Sequence, residues 1–188
     1  MPRKPGLDRD EVVRAAATLV NAEGIDALTV GRLAASLNIQ PPSLYNHISG
    51  LPDLYNALAV LNACALADAM TDAAVGRSGS DALHAIANAY RNYIKESPGV
   101  YLSSLRSALN RQTPIAELEA AEERAVNVVL AVLASFGVQD ADAIHAARAF
   151  RSAVHGFTTI EIAGGFGIPL DLDTSFHRLI DALIYGFT

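Results

Sequence analysis

Gln40, Pro41, Ser43, Tyr45, Asn46 and His47 are the residues of this sequence best equipped to do chemistry together. They lie in LNIQPPSLYNHI, residues 37–48, a stretch without an acidic or a permanently basic side chain. That chemistry is recognition. Amide, hydroxyl and imidazole groups exchange hydrogen bonds with base edges and phosphates, and Gln or Asn can bond adenine in bidentate fashion. The carbons of Pro41 and Ser43 can meet a thymine methyl. Leu37, Ile39, Leu44 and Ile48 run between the polar groups, so the same segment must also be pinned to a core.

Three short helices would position this set. Asp8 and Glu11 have capping-box spacing, with Asp in the Ser/Thr role, and open a first helix. Val12, Ala16, Leu19 and Val20 give that helix one apolar stripe, and Gly24 stops it. Thr29 caps a second helix running to about Ser36. Asn38 sits in the turn after it, where asparagine is second only to glycine in tolerating positive φ. The third helix spans about Gln40 to His47, with Pro41 and Pro42 in a first turn that needs no N–H. Two helices joined by a tight turn are a helix-turn-helix. Leu33, Leu37, Ile39, Leu44 and Ile48 are its expected core, and Ala34 and Ala35 allow close approach. On this pattern alone, a DNA-reading helix and a plain polar cap on a small helix fit equally well.

Charge narrows the choice. The net charge is −6, yet residues 1–50 carry five basic and five acidic groups, so the deficit lies in residues 51–188. No acid lies between Asp26 and Asp53. A neutral, acid-free surface can approach phosphates while an acidic body faces away. Cys64 is the single cysteine, which excludes a disulfide within the chain and a cysteine zinc site. It reads as a small buried hydrophobe, with a thiol sensor as the alternative. The longest uncharged apolar run, Ala125 to Gln139, is shorter than the ~20 residues that span a bilayer. MPRKPGLDRD lacks the apolar core of a signal peptide. No membrane partner and a cytoplasmic location are expected.

The remainder also reads as helix. A long helix is expected from Pro52 to Val75, then a loop at GRSGS, residues 76–80. Leu83, Ile86, Ala87, Tyr90 and Ile94 form a stripe that SPG, residues 97–99, breaks. A short segment to Leu109 comes next. Thr113 and Pro114 open a helix ended by Gly137, and Asp140 or Asp142 opens another through Ile162. AGGFGIP, residues 163–169, is a loop before a last helix capped by Asp171 or Asp173. The fold class is all-α, with about nine helices. The last two helices are apolar on more than one face, which fits burial against a second subunit.

GIDALTVGRLAASLNIQPPSLYNHISGLPDLYNAL, residues 24–58, resembles the DNA-binding segment of the tetracycline-repressor (TetR) family. SAVHGFTTIEIAGGFGIP, residues 152–169, resembles a C-terminal domain type of the same family that carries Trp-His-Gly. Here the motif reads Val154-His155-Gly156, without the tryptophan. The resemblance implies an N-terminal arm and DNA-binding domain at residues 1–50 and a ligand-binding and dimerisation domain at residues 51–188. It implies a homodimer on a double-stranded, palindromic DNA operator, and a repressor released by a small-molecule effector. Thr29 and Arg32 fall where the family contacts phosphate. Gln40, Pro41, Ser43, Asn46 and His47 fall on its recognition helix, Tyr45 matches its phosphate-binding tyrosine, and Arg3 and Lys4 resemble its basic arm. Leu51 stands where the family usually has lysine, and Gly31 where many members have arginine, so few cations remain for phosphate.

Composition points to an apolar or aromatic effector, with Tyr90, Tyr93, Tyr101, Leu105, Phe136 and Phe150 as lining candidates that serve equally well as plain core. His155 is either a ligand contact or a core histidine held by Arg151 or Thr159. No cofactor is expected, because Gly164, Gly165 and Gly167 follow a helix instead of joining a strand to one. No metal site is expected either. His84, His145, His155 and His177 are scattered, and His177 with Asp173 or Asp181 reads as an i, i+4 surface contact. An enzyme would need a nucleophile, base and orienter in one cleft, which these residues do not supply. A regulator that acts without a small ligand, or as an activator, stays open.

Overall fold

A computed structural model describes residues 7–110 and 113–187, and among these every regular element is helical. The elements are α1 (Arg9–Glu23), α2 (Val30–Ser36), α3 (Pro41–Leu44), α4 (Leu51–Ala74), α5 (Gly79–Glu96), α6 (Pro98–Asn110), α7 (Ala116–Ala134), α8 (Asp140–Ile162) and α9 (Leu172–Phe187). A single 3₁₀ turn, Ile25–Ala27, links α1 to α2. The all-α class and the nine helices expected from the sequence are found among the described residues.

The chain divides into two compact units. The first holds residues up to Asn62 together with Ser97–Leu118, and the second holds Ala63–Glu96 and Glu119–Thr188. In the first unit, Val12, Ala16, Val20, Leu33, Leu44, Leu54 and Leu58 are fully buried in one core. The Asp8 side chain accepts from Glu11 N and the Glu11 side chain from Asp8 N, so the expected capping box opens α1. Gly24, at φ +84°, ends it. SPG does break the chain between α5 and α6, but α6 is a full helix, packed against α1. Gly99 makes that packing close: a Cβ there would stand 2.0 Å from Val20 O. The Asn21 side chain accepts from Val100 N at 2.9 Å and so satisfies an N–H at the start of α6.

In the second unit α5 packs on α8 and α9, and α8 packs on α9. The predicted stripe Leu83, Ile86, Ala87, Tyr90 and Ile94 is buried, as are Phe150, Val154, Phe176 and Ile180. Asp171, one of the two expected caps of α9, accepts from Thr174 N at 2.7 Å.

α4, at 24 residues and mean hydropathy 1.3, is long and apolar enough to cross a membrane by length and composition alone. Part of that apolar character has a use inside the protein, since Leu54, Leu58 and Ala59 are buried.

Candidate nucleic-acid interface

The geometry between Thr29 and Ile48 fixes how the polar side chains are presented. Thr29 caps α2, its hydroxyl oxygen accepting from Arg32 N at 3.2 Å. The helix ends in a Schellman turn. Ile39 N donates to Ala34 O and Asn38 N to Ala35 O, both at 3.0 Å, with Asn38 at φ +56°. The chain then re-enters helix at once, with Pro41 and Pro42 in the first turn of α3. Regular helix ends at Leu44, short of the expected His47. Backbone bonds from Asn46 N to Ser43 O and His47 N to Leu44 O carry the winding on as tighter turns.

Leu33, Ala34, Leu44 and Ile48 are buried, and Leu37 and Ile39 pack partly against the same core. Ala35 is exposed. With the apolar residues inward, Thr29, Arg32, Gln40, Pro41, Tyr45 and Asn46 are exposed, while Ser43 and His47 are half-buried. Tyr45 is 59% exposed. Arg3 and Lys4 lie outside the described residues.

Arg9 was not legible as part of this site. Its guanidinium forks onto the Asp53 carboxylate at 2.7 and 2.9 Å and also donates to His47 O at 2.9 Å. One side chain on α1 thereby holds both the turn that follows α3 and the start of α4. Ser49 N donates to the same carboxylate at 2.9 Å. The hydrogen bond from Arg9 and that from Ser49 hold the Asp53 carboxyl below its ordinary range, although partial burial opposes them. Arg32 is paired with Glu23, and Arg106 with Asp26 at 3.2 Å. Leu51 packs partly against the core, which gives that position a structural use for an apolar residue.

The effector candidates separate. Tyr101 and Leu105 are on α6 in the first unit, with Tyr101 buried and Leu105 half-buried. Tyr90, Phe150 and His155 are in the second unit, the first two buried. Burial lowers the His155 pKa, and the nearby Arg151 charge lowers it further. Burial raises that of the Tyr93 phenol. An open hollow of about 630 Å³ in the second unit includes Phe136, Asp142, His145 and Phe187 in its lining, and of the candidates it touches Phe136 alone.

Arg91, missed by sequence reasoning, organises the second unit. Its side chain, 6% exposed, pairs in bidentate fashion with Glu161 and reaches Asp173, each at 2.7 Å. Lys95 joins Glu161 at 2.8 Å, and the guanidinium lies 4.8 Å from the Phe176 ring centroid. A lone Arg in an amphipathic stripe gave no signal of this. On α4, Asn62 is buried, and its side-chain oxygen accepts no hydrogen bond among the described residues.

A helix-turn-helix pinned by buried Leu33, Ala34, Leu44 and Ile48 in an all-helical chain defines the class of a DNA-binding regulator, and similarity to known proteins places it further. The family described as "Tetracyclin repressor-like, C-terminal domain" matches residues 83–183. The chain is 35% identical over 184 residues to Rv0681 of Mycobacterium tuberculosis, an uncharacterized HTH-type transcriptional regulator, covering 98% of this chain and 83% of that one. It is 35% identical over 187 residues to the similarly described YobS of Bacillus subtilis, covering 99% and 95%. A TetR variant from Acinetobacter baumannii AYE, solved in complex with minocycline, has the same fold at TM-score 0.71 and 26% identity, covering 96% of each chain. The protein belongs to the tetracycline-repressor family of helix-turn-helix transcriptional regulators.

Proposed function

We propose that this protein is a homodimeric repressor that leaves a palindromic operator when a small apolar or aromatic molecule binds it. Residues 1–50 carry the DNA contacts, and residues 51–188 carry the effector and the dimer contact. The observation that carries the DNA half is the exposed polar row Gln40, Tyr45 and Asn46 above a buried Leu33, Leu44 and Ile48. Two such rows in a two-fold dimer would enter major grooves ~34–36 Å apart. Arg3 and Lys4 add backbone contacts in this reading, and Thr29, Arg32, Pro41, Ser43 and His47 complete the set. Arg32 already has a carboxylate partner in Glu23, so phosphate must compete with an acid there. Affinity per subunit should therefore be modest and depend on dimerisation.

The effector half rests on Asn62. A buried acceptor left unpaired costs about 1–3 kcal/mol, and a ligand N–H or O–H would recover it. Tyr101 and Leu105 are candidate contacts within the same unit, and Tyr90, Phe150 and His155 are alternative candidates within the second. The Acinetobacter baumannii relative, solved in complex with minocycline, supports a small-molecule effector. An effector that weakens operator binding must itself bind the operator complex more weakly.

The test is selection of bound duplexes from a random pool, and then affinity for the winner across a salt series. The expected winner is palindromic, with affinity falling steeply as salt rises. Selected duplexes without two-fold symmetry would overturn the dimeric reading. Operator affinity unchanged across a panel of aromatic ligands that demonstrably bind would overturn the effector reading.

A further inference from the structure

His84 lies on α5, whereas His177 and Asp181 lie on α9, and the packing of these helices brings the three together. Asp181 is bridged on both oxygens: His84 Nε2 lies 2.9 Å from Oδ1, and His177 Nδ1 lies 3.0 Å from Oδ2. The two imidazoles stack with centroids 4.0 Å apart and planes at 20°. A nitrogen of each ring and a carboxylate oxygen all lie within 4.8 Å of one another. We propose that His84, His177 and Asp181 form a binding site for a divalent late first-row transition ion, Zn²⁺ foremost, which fastens α5 to α9.

The donor set selects the ion class. Two imidazoles and one carboxylate suit Zn²⁺ and its neighbours, whereas Ca²⁺ and Mg²⁺ take all-oxygen shells. His177 and Asp181 are four residues apart and share one face of α9, the spacing of a two-ligand clip on a helix. Bonds of ~2.0–2.1 Å in a tetrahedral site place ligand atoms roughly 3.3 Å apart, so the cluster must contract by at most about 1.5 Å. The side chains are placed to do so. His84 is 15% exposed and His177 61% exposed, so the outer ring can make the contraction by giving up its hydrogen bond to Asp181. Three protein ligands leave a fourth position for water or an exogenous ligand, as in sites that keep an open position. Both helices belong to the second unit, so the site is complete within one chain.

The full-length protein, stripped with a chelator, is titrated with Co²⁺ as the spectroscopic probe and then with Zn²⁺. The expected result is saturable binding of a single Co²⁺ per chain with d–d absorption of a nitrogen–oxygen site. Zn²⁺ should displace it and raise the thermal unfolding midpoint. Loss of an outer-sphere partner costs about 10–100-fold in metal affinity, so loss of a ligand in His177→Gln or Asp181→Asn should cost about 100-fold or more. Both side chains are surface groups, so circular dichroism should show both variants folded. His145→Gln, which removes a histidine elsewhere in the same unit, should bind as the wild type does. Wild-type affinity in both ligand variants would place bound ions elsewhere and overturn the proposal. So would an absence of saturable binding by the wild type, which would leave Asp181 as a hydrogen-bonding bridge alone.

Discussion

At the scale of single residues, the proposed reading of DNA and the holding of the segment that would do it fall to different side chains. Asn46 is exposed and belongs to the row that faces outward, so its amide is available to a base edge. Arg9 faces the protein, where it grips His47 O and Asp53. Substituting each should therefore fail differently. Asn46→Ala should change sequence preference at one operator position by about 1–3 kcal/mol, with the unfolding midpoint unchanged. Arg9→Ala should weaken all operators alike and lower stability by about 1 kcal/mol, since the pair is half-exposed and solvent screens it. Competition binding with single-base operator variants, alongside urea denaturation, distinguishes the two. A change of preference in Arg9→Ala would mean that this residue reads sequence itself. The outward exposure of Gln40, Tyr45 and Asn46 was legible because Leu37, Ile39, Leu44 and Ile48, running between the polar groups, had to face a core. Arg9 was not, because its partners lie 38 and 44 residues away in sequence.

At the scale of elements, the contact between α1 and α6 leaves no room for a side chain at Gly99. A Cβ on Gly99 would meet Val20 O at 2.0 Å, Val20 C at 2.2 Å and Asn21 N at 2.7 Å, all of it backbone that cannot rotate aside. Gly99→Ala should therefore cost about 3 kcal/mol or more, by overpacking. Gly31, inside α2, offers the contrast: a Cβ there meets nothing within 4 Å. Gly31→Ala should raise stability by about 0.5 kcal/mol through the unfolded chain's lost freedom. Chemical denaturation of both variants checks the pair, and equal midpoints would remove the close-approach argument. The SPG break is visible in sequence, but a glycine that ends one helix and a glycine that lets two helices touch look the same there.

At the scale of the whole molecule, stability should respond to pH in two separate windows. The Glu161 carboxyl is held low, first by its hydrogen bonds from Arg91 and then by Lys95, against partial burial. A carboxylate with a depressed folded pKa stabilises above the ordinary glutamate value, about 4.3, and loses that contribution as pH falls through the lower folded value. His155 is also depressed, chiefly by burial and then by Arg151. The unfolded chain then takes up its proton first, so the contribution is complete above about pH 6.5 and declines as pH falls below it. Urea midpoints measured between about pH 8 and about pH 5 should drift downward, and His155→Gln should flatten that drift. An unchanged slope in the variant would assign the drift to other groups. Glu161→Ala, which strands the buried Arg91 guanidinium with one exposed acid, should lower stability by about 3 kcal/mol at neutral pH.

The sequence by itself determined the helices, caps such as Asp8 and Thr29, and the outward row of polar side chains. Each arises from local rules: side-chain period, a capping residue, a turn that tolerates positive φ at Asn38, or prolines in a first helical turn. Such rules act over a few residues, and most of the expected elements lie close to their predicted places. Only the tertiary structure decided that α6 joins the first unit, that Arg9 reaches His47 and Asp53, and that Arg91 meets Glu161 and Asp173. It alone brought His84 to His177 and Asp181, which are 93 and 97 residues further on. A charge or an imidazole carries no record in its own neighbourhood of the distant helix face it will meet. Which partner it finds is set by how helices pack, and that depends on the fit of whole apolar faces.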